Sequence, residues 1–87
     1  DAESVVAAFE QYADQYAAII DKLNAAKPGS SEFEAASKEM TELGEELQST
    51  SEKCQKLAPN FTKEQKQRFL KATMKFVSAS KNIKNDQ

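Results

Sequence analysis

Residues 33–57 read FEAASKEMTELGEELQSTSEKCQKL, and this stretch decides the fold. Side chains suited to a core recur in it at alternating steps of three and four residues, the spacing of one face of an amphipathic helix. Ser37, Gly44 and Ser51 lie beside that face, seven residues apart, and predict the close approach of a neighbouring helix. The face itself, here called the central seam, consists of Phe33, Ala36, Met40, Leu43, Leu47, Thr50, Cys54 and Leu57.

Two further amphipathic segments flank the central one. They are separated from it by two clusters of helix-breaking residues, KPGS at 27–30 and APNF at 58–61. The first segment carries a broad apolar face, formed by Ala2, Val5, Phe9, Tyr12, Tyr16, Ile19, Leu23 and Ala26. The third carries a narrower one, formed by Phe69, Ala72, Phe76, Ala79 and Ile83.

Capping signals mark where the second and third segments begin. Ser31 with Glu34, and Thr62 with Gln65, match the capping-box pattern of a helix start. We therefore expect helices over roughly 2–26, 31–57 and 62–84. Connections of about four residues make each helix antiparallel to the one before it. The predicted structure is all-α, a single domain over 1–87, folded as an up-down-up antiparallel three-helix bundle.

Composition excludes several classes of function. The 87 residues contain one cysteine, Cys54, and no histidine, so an internal disulfide framework, a cysteine-rich zinc site and histidine-based catalysis are all excluded. No run of 18 apolar residues is present, so no transmembrane segment is expected. Glu42, Glu45 and Glu46 cluster at helical spacing, which is typical of a solvated helix face. The sequence thus predicts a non-enzymatic protein with no cofactor and no metal.

Charge is sorted by segment. Residues 1–26 carry five acids and one lysine (net −4), residues 28–58 seven acids and three lysines (net −4), and residues 59–87 seven bases and two acids (net +5). The bases of the third segment are spread around its helix, and the rest of the chain would repel phosphate, so no nucleic-acid partner is expected. We expect those bases to face acids on one flank of the first helix, namely Glu3, Glu10, Asp14 and Asp21.

The third segment has more apolar surface than two neighbouring helices require. Leu70, Met74 and Val77 lie about 80–140° from the line of its apolar face. A tilt of the helix could bury Leu70 and Val77 and leave only Met74 exposed. The alternative is a surface for self-association or for a protein partner. The candidate binding residues are these three together with the adjoining bases Lys63, Lys66 and Lys81.

These features favour a helical interaction module that acts through protein–protein contacts. In composition and in its start at Asp1 the chain resembles small helical domains of bacterial periplasmic proteins and lipoproteins. That resemblance implies a secreted protein of the periplasm or cell envelope, such as the soluble part of a lipoprotein, with a cytoplasmic protein as the alternative. A second functional hypothesis is a carrier or sensor of a small apolar ligand, bound in the bundle core. The residues that could line such a site are Phe9, Tyr16, Met40, Phe69 and Phe76.

Overall fold

A computed structural model describes residues 1–83 and contains three α-helices. They are α1 (Ala2–Ala25), α2 (Ser31–Leu57) and α3 (Lys63–Ser80), and one 3₁₀ turn, Ala58–Asn60, leads from α2 to α3. The prediction of an all-α three-helix bundle is therefore confirmed. The third helix ends earlier than predicted, so Ile83 lies beyond α3 and is 42% exposed. Residue 84, the predicted end, lies outside the described residues.

The connection from α1 to α2 is a tight turn at Lys27–Ser30. The amide of Ser30 donates to the carbonyl of Lys27 at 3.0 Å, and Gly29 between them has a φ of +85°. Proline followed by a residue with positive φ is the pattern of a type II turn, which favours glycine at the second position. The predicted cap of α2 was wrong by one residue. Ser30, not Ser31, is the N-cap, because its Oγ accepts the amide of Phe33 at 3.1 Å.

The start of α3 agrees with its sequence signal. The amide of Gln65 donates to Oγ1 of Thr62, and the amide of Thr62 donates to Oε1 of Gln65, both at 3.0 Å. This reciprocal pair is the predicted capping box. Two of the amides that a helix start leaves without partners are thereby satisfied.

The helix α1 lies at the centre of the bundle and packs closely against both α2 and α3. It is antiparallel to α2, because Ile19 near its end packs with Ala36 near the start of α2. It is parallel to α3, because Glu3 contacts Arg68 whereas Tyr16 contacts Ser80. The up-down-up order is therefore as predicted.

Aromatic rings form the centre of the larger core cluster. Phe9 of α1 stacks on Phe69 of α3, with ring centroids 4.8 Å apart, and meets Phe76 at 5.1 Å. The ladder extends to Tyr16 at one end and to Phe61 at the other, at 5.2 and 6.0 Å. Around Phe9 lie the small or aliphatic side chains of Val6, Ala13, Cys54 and Ala72. A second cluster, towards the start of α2, contains Ile19, Ala36 and Leu43.

The central seam packs on α1, and its second half also shares a core cluster with α3. The backbones of α2 and α3 approach each other only marginally, but Leu47, Cys54 and Leu57 lie in the same cluster as the rings of α3. The close approach predicted beside Gly44 is missing. A Cβ atom built on Gly44 would meet nothing within 4 Å among the described residues, and the residue is exposed.

Gly44 gives a first testable consequence. In dilute protein, Gly44→Ala should raise the free energy of unfolding by about 1 kcal/mol, because alanine has the higher helix propensity and space is free at this position. Chemical denaturation followed by circular dichroism measures the change. A neutral or destabilising result would show that Gly44 serves the fold in a way that its surroundings do not reveal.

Candidate functional site

The three predicted apolar residues of the third segment form an exposed ridge. Leu70, Met74 and Val77, here called the α3 ridge, are 59, 62 and 51% exposed. Helical spacing places them on one side of α3. The alternative in which tilting buries Leu70 and Val77 does not hold, since both are as open as Met74. The ridge is the largest exposed apolar feature of α3.

The three predicted lysines border this ridge. Lys66 and Lys63 precede Leu70 by four and seven residues, and Lys81 follows Val77 by four, so all lie near the same side of the helix. Each of them is exposed. Within residues 1–83 none of the three forms an ion pair. The structure therefore places the six predicted site residues on one surface.

A groove that sequence reasoning missed runs beside the ridge, between α2 and α3. Its volume is about 420 Å³. Val77 belongs both to the ridge and to the groove, so the two surfaces are continuous. The sequence signal that could have located the groove is the strip of small residues beside the central seam, of which Gly44 and Ser51 line it. The groove is lined by Phe9, Gly44, Leu47, Gln48, Ser51, Thr73, Phe76 and Val77.

The opposite side of α3 is joined to α1 by ion pairs with three of the four predicted acids, whereas Asp21 takes part in none within residues 1–83. Arg68 donates to both carboxylate oxygens of Glu3 at 2.9 Å and to those of Glu10 at 2.7 and 3.0 Å. Lys75 forms a further ion pair with Asp14. The central role of Arg68 was not foreseen, although its planar guanidinium suits two carboxylates better than a lysine does. These contacts position α3 so that its ridge points away from α1.

Arg68 perturbs the acid–base behaviour of its partners. Its hydrogen bonds lower the pKa of Glu3, with a smaller contribution from Gln65, and lower the pKa of Glu10 against the opposing effect of burial. The same two contacts, first with Glu10 and then with Glu3, raise the pKa of Arg68. Because both carboxyl pKa values are lowered by folding, the ionised forms stabilise the native state.

A pH-dependent effect of Arg68→Gln follows. The variant should be less stable than the wild type at pH 7, and this difference should shrink as the pH falls below the ordinary glutamate pKa of about 4.3. The reason is that acidification protonates Glu3 and Glu10 and removes the wild-type advantage. Thermal melts of both proteins between pH 7 and pH 3 measure it. A difference that stays constant with pH would contradict the assignment.

The described residues contain no cluster of metal ligands, and their one thiol is buried. Across residues 1–83 no group of three histidine, cysteine, aspartate or glutamate side chains could hold a metal ion. The thiol of Cys54 is 1% exposed, and burial raises its pKa. A thiol in that state is poorly suited to act as a nucleophile. In the same part of the chain, no helix has the length and apolar character needed to cross a bilayer.

The residues proposed to line a ligand cavity lie in different parts of the core. Phe9, Phe69, Phe76 and Tyr16 pack ring against ring and fill the interior. Met40 packs instead with the second cluster, around Ile19 and Leu43. Only Phe9 and Phe76 of this set also line the groove. The candidate functional site is therefore the α3 ridge with the adjoining groove, rather than the core.

Comparison of the chain with protein-family models, with curated proteins and with solved structures finds no match. The geometry of α3 and of the groove is therefore the basis for a proposed function.

Proposed function

We propose that this protein is a non-enzymatic helical interaction module that binds a protein partner through the α3 ridge and the lysines beside it. The observation that carries the proposal is the exposure of three large apolar side chains on one side of one helix, at 51–62% each. Single exposed apolar residues are ordinary on a protein surface. A contiguous apolar strip that continues into a groove and is bordered by polar residues is typical of an interaction site.

The bordering lysines support the same proposal. Interfaces commonly combine an apolar centre with a charged rim that directs association. Lys63, Lys66 and Lys81 provide such a rim, and they are available because the contacts between α1 and α3 use Arg68 and Lys75. The partner surface should accordingly be apolar at its centre and acidic at its edge.

Site-specific photo-crosslinking tests this function. A photoreactive amino acid would replace Met74 on the ridge, and in a matched control it would replace Gln11. Gln11 is exposed and follows Phe9 by two residues, which places it on the far side of α1 from the groove. We expect light-dependent adducts with one protein in extracts of the source cells from position 74 and none from position 11. Equal adducts at both positions, or none at either, would overturn the proposal.

We further propose that the module acts in the bacterial cell envelope, as a periplasmic protein or the globular part of a lipoprotein. The support is its alanine- and serine-rich composition. Fractionation of source cells with an antibody against the protein tests this assignment. Recovery with the cytoplasmic fraction would favour the alternative location.

The carrier hypothesis is the second candidate, and the groove is the observation that favours it. An apolar ligand could lie over Phe9 and Phe76 in a space of about 420 Å³. Native mass spectrometry of freshly purified protein separates the two functions. A retained small molecule would support the carrier, whereas a mass of 9.7 kDa per chain without additions would favour the interaction module.

A further inference from the structure

Two helical rows of side chains form the walls of the groove between α2 and α3. The α2 wall consists of Gly44, Gln48 and Ser51, at steps of four and three residues. The α3 wall includes Thr73 and Val77. Rows at this spacing accept another helix, because the side chains of that helix repeat with the same period. Within the described part of the chain, a Cβ atom added at Gly44 would meet nothing within 4 Å, so the α2 wall leaves room for a close neighbour.

The floor of the groove is apolar, so a helix that lies in it must present an apolar face. Phe9 of α1 lines the groove together with Leu47 and Phe76, and these side chains belong to the larger core cluster or pack against it. Leu70 lies two turns before Val77, so both of these ridge residues are on the same side of α3. Apolar anchors beside an apolar groove are the pattern by which grooves recognise amphipathic helices.

The outer side of the α2 wall is acidic. Glu45 directly follows Gly44 and Glu52 directly follows Ser51, so these two acids lie beside the groove, two turns apart. Both are exposed, and neither forms an ion pair in the described part of the chain. A helix in the groove therefore meets two free carboxylates along the flank that faces α2.

The α3 side of the groove is basic at one end. Lys66 precedes Leu70 by four residues and Val77 by eleven, so the three lie on one line along α3. Lys66 is in the first turn of the helix, at the end of the groove next to the connection from α2. Lys56 and Lys63 add positive charge at this end, and among residues 1–83 none of the three lysines forms an ion pair. The two sides of the groove thus differ in charge.

We propose that the partner is an amphipathic helix of another protein, which lies in this groove with basic side chains on the flank that faces α2 and an acidic end beside Lys66. This inference rests on the proposed function and states the chemistry of the partner. The basic side chains are about two turns apart, so that they meet Glu45 and Glu52. Complementary charges of this kind select the partner and its register more than they add affinity.

Two synthetic helical peptides of about six turns test this chemistry on the full chain. Both have the same leucine-rich apolar face and glutamates at one end of one flank. The matched peptide carries two lysines about two turns apart on the other flank, and the acidic peptide has glutamates in their place. Fluorescence anisotropy should show that the matched peptide binds at least about tenfold more tightly, because the acidic peptide turns carboxylates towards α2 in either direction.

Charge variants of the protein identify the side chains that read the peptide. Glu45→Lys with Glu52→Lys should reverse the preference, so that the acidic peptide binds more tightly. The control, Glu42→Lys with Glu46→Lys, makes the same charge change in the concavity between α1 and α2 and should keep the wild-type preference. Lys66→Glu should weaken binding of the matched peptide, since a like charge then meets its acidic end.

A variant that fills the groove shows whether the peptides bind there. Gly44→Leu places a side chain in the open space beside the α2 wall, so it should weaken both peptides while circular dichroism shows an intact helical fold. Equal binding of the two peptides, binding of neither, or an unchanged preference after Glu45→Lys with Glu52→Lys would overturn the inference. The proposed function fails separately. An adduct specific to position 74 would leave it standing if the peptides failed, whereas the absence of such an adduct would remove both.

Discussion

Phe9→Ala should destabilise this domain by about 3–5 kcal/mol, the usual result of truncating a buried aromatic side chain. Phe9 is 8% exposed and contacts the rings of Phe69 and Phe76, so its loss would leave a cavity where α1 joins α3. Domains of this size have only about 5–15 kcal/mol of stability. The expected fall in Tm is therefore at least about 12 °C. Thermal and urea melts of dilute protein measure it.

Phe33→Ala is the matched control for that prediction. It makes the same chemical change at the first turn of α2, where the side chain is only half-buried. Phe76→Ala should fall between the two, because its ring is also half-buried but contacts both Phe9 and Tyr16. Equal losses for Phe9→Ala and Phe33→Ala would contradict the assignment of Phe9 to the centre of the core.

Met74→Glu should separate stability from association. In dilute protein we expect a change of less than about 0.5 kcal/mol in the free energy of unfolding, because Met74 is 62% exposed and touches no core cluster. Association should weaken at least about tenfold, since the new carboxylate would be desolvated in an apolar contact. Denaturation curves give the first quantity and sedimentation equilibrium gives the second.

The control for the second prediction keeps the residue apolar. Met74→Leu changes shape but adds no charge, so it should retain association close to that of the wild type. If Met74→Glu destabilised dilute protein as much as Phe9→Ala does, the ridge would belong to the core and the orientation of α3 would be wrong. Association unaffected by Met74→Glu would instead place the contact surface elsewhere.

The helices could be predicted because their signals are local. Apolar spacing, the two breaker clusters and the Thr62–Gln65 box each depend on a few neighbouring residues, and the structure confirms them. The shift of the α2 cap from Ser31 to Ser30 shows the limit of this reasoning. Adjacent serines offer equivalent hydroxyl groups, and the turn at Gly29 determines which one faces the first free amides.

The position of α3 could be predicted only in part. Charge sorting correctly indicated that α3 pairs with α1, as the contacts of Arg68 and Lys75 show. It could not reveal that the backbones of α2 and α3 stay apart, since an amphipathic face indicates that a helix is covered but not how closely each neighbour approaches. The α3 ridge was visible from the sequence because its residues depart from the line of Phe69 and Phe76. The adjoining groove was not, because it depends on the spacing between two helices.

Photo-crosslinking from the place of Met74 tests most directly whether the α3 ridge is a contact surface. With Gln11 as the matched control position, we expect light-dependent adducts from position 74 and none from position 11. Adducts from both positions, or from neither, would contradict the account.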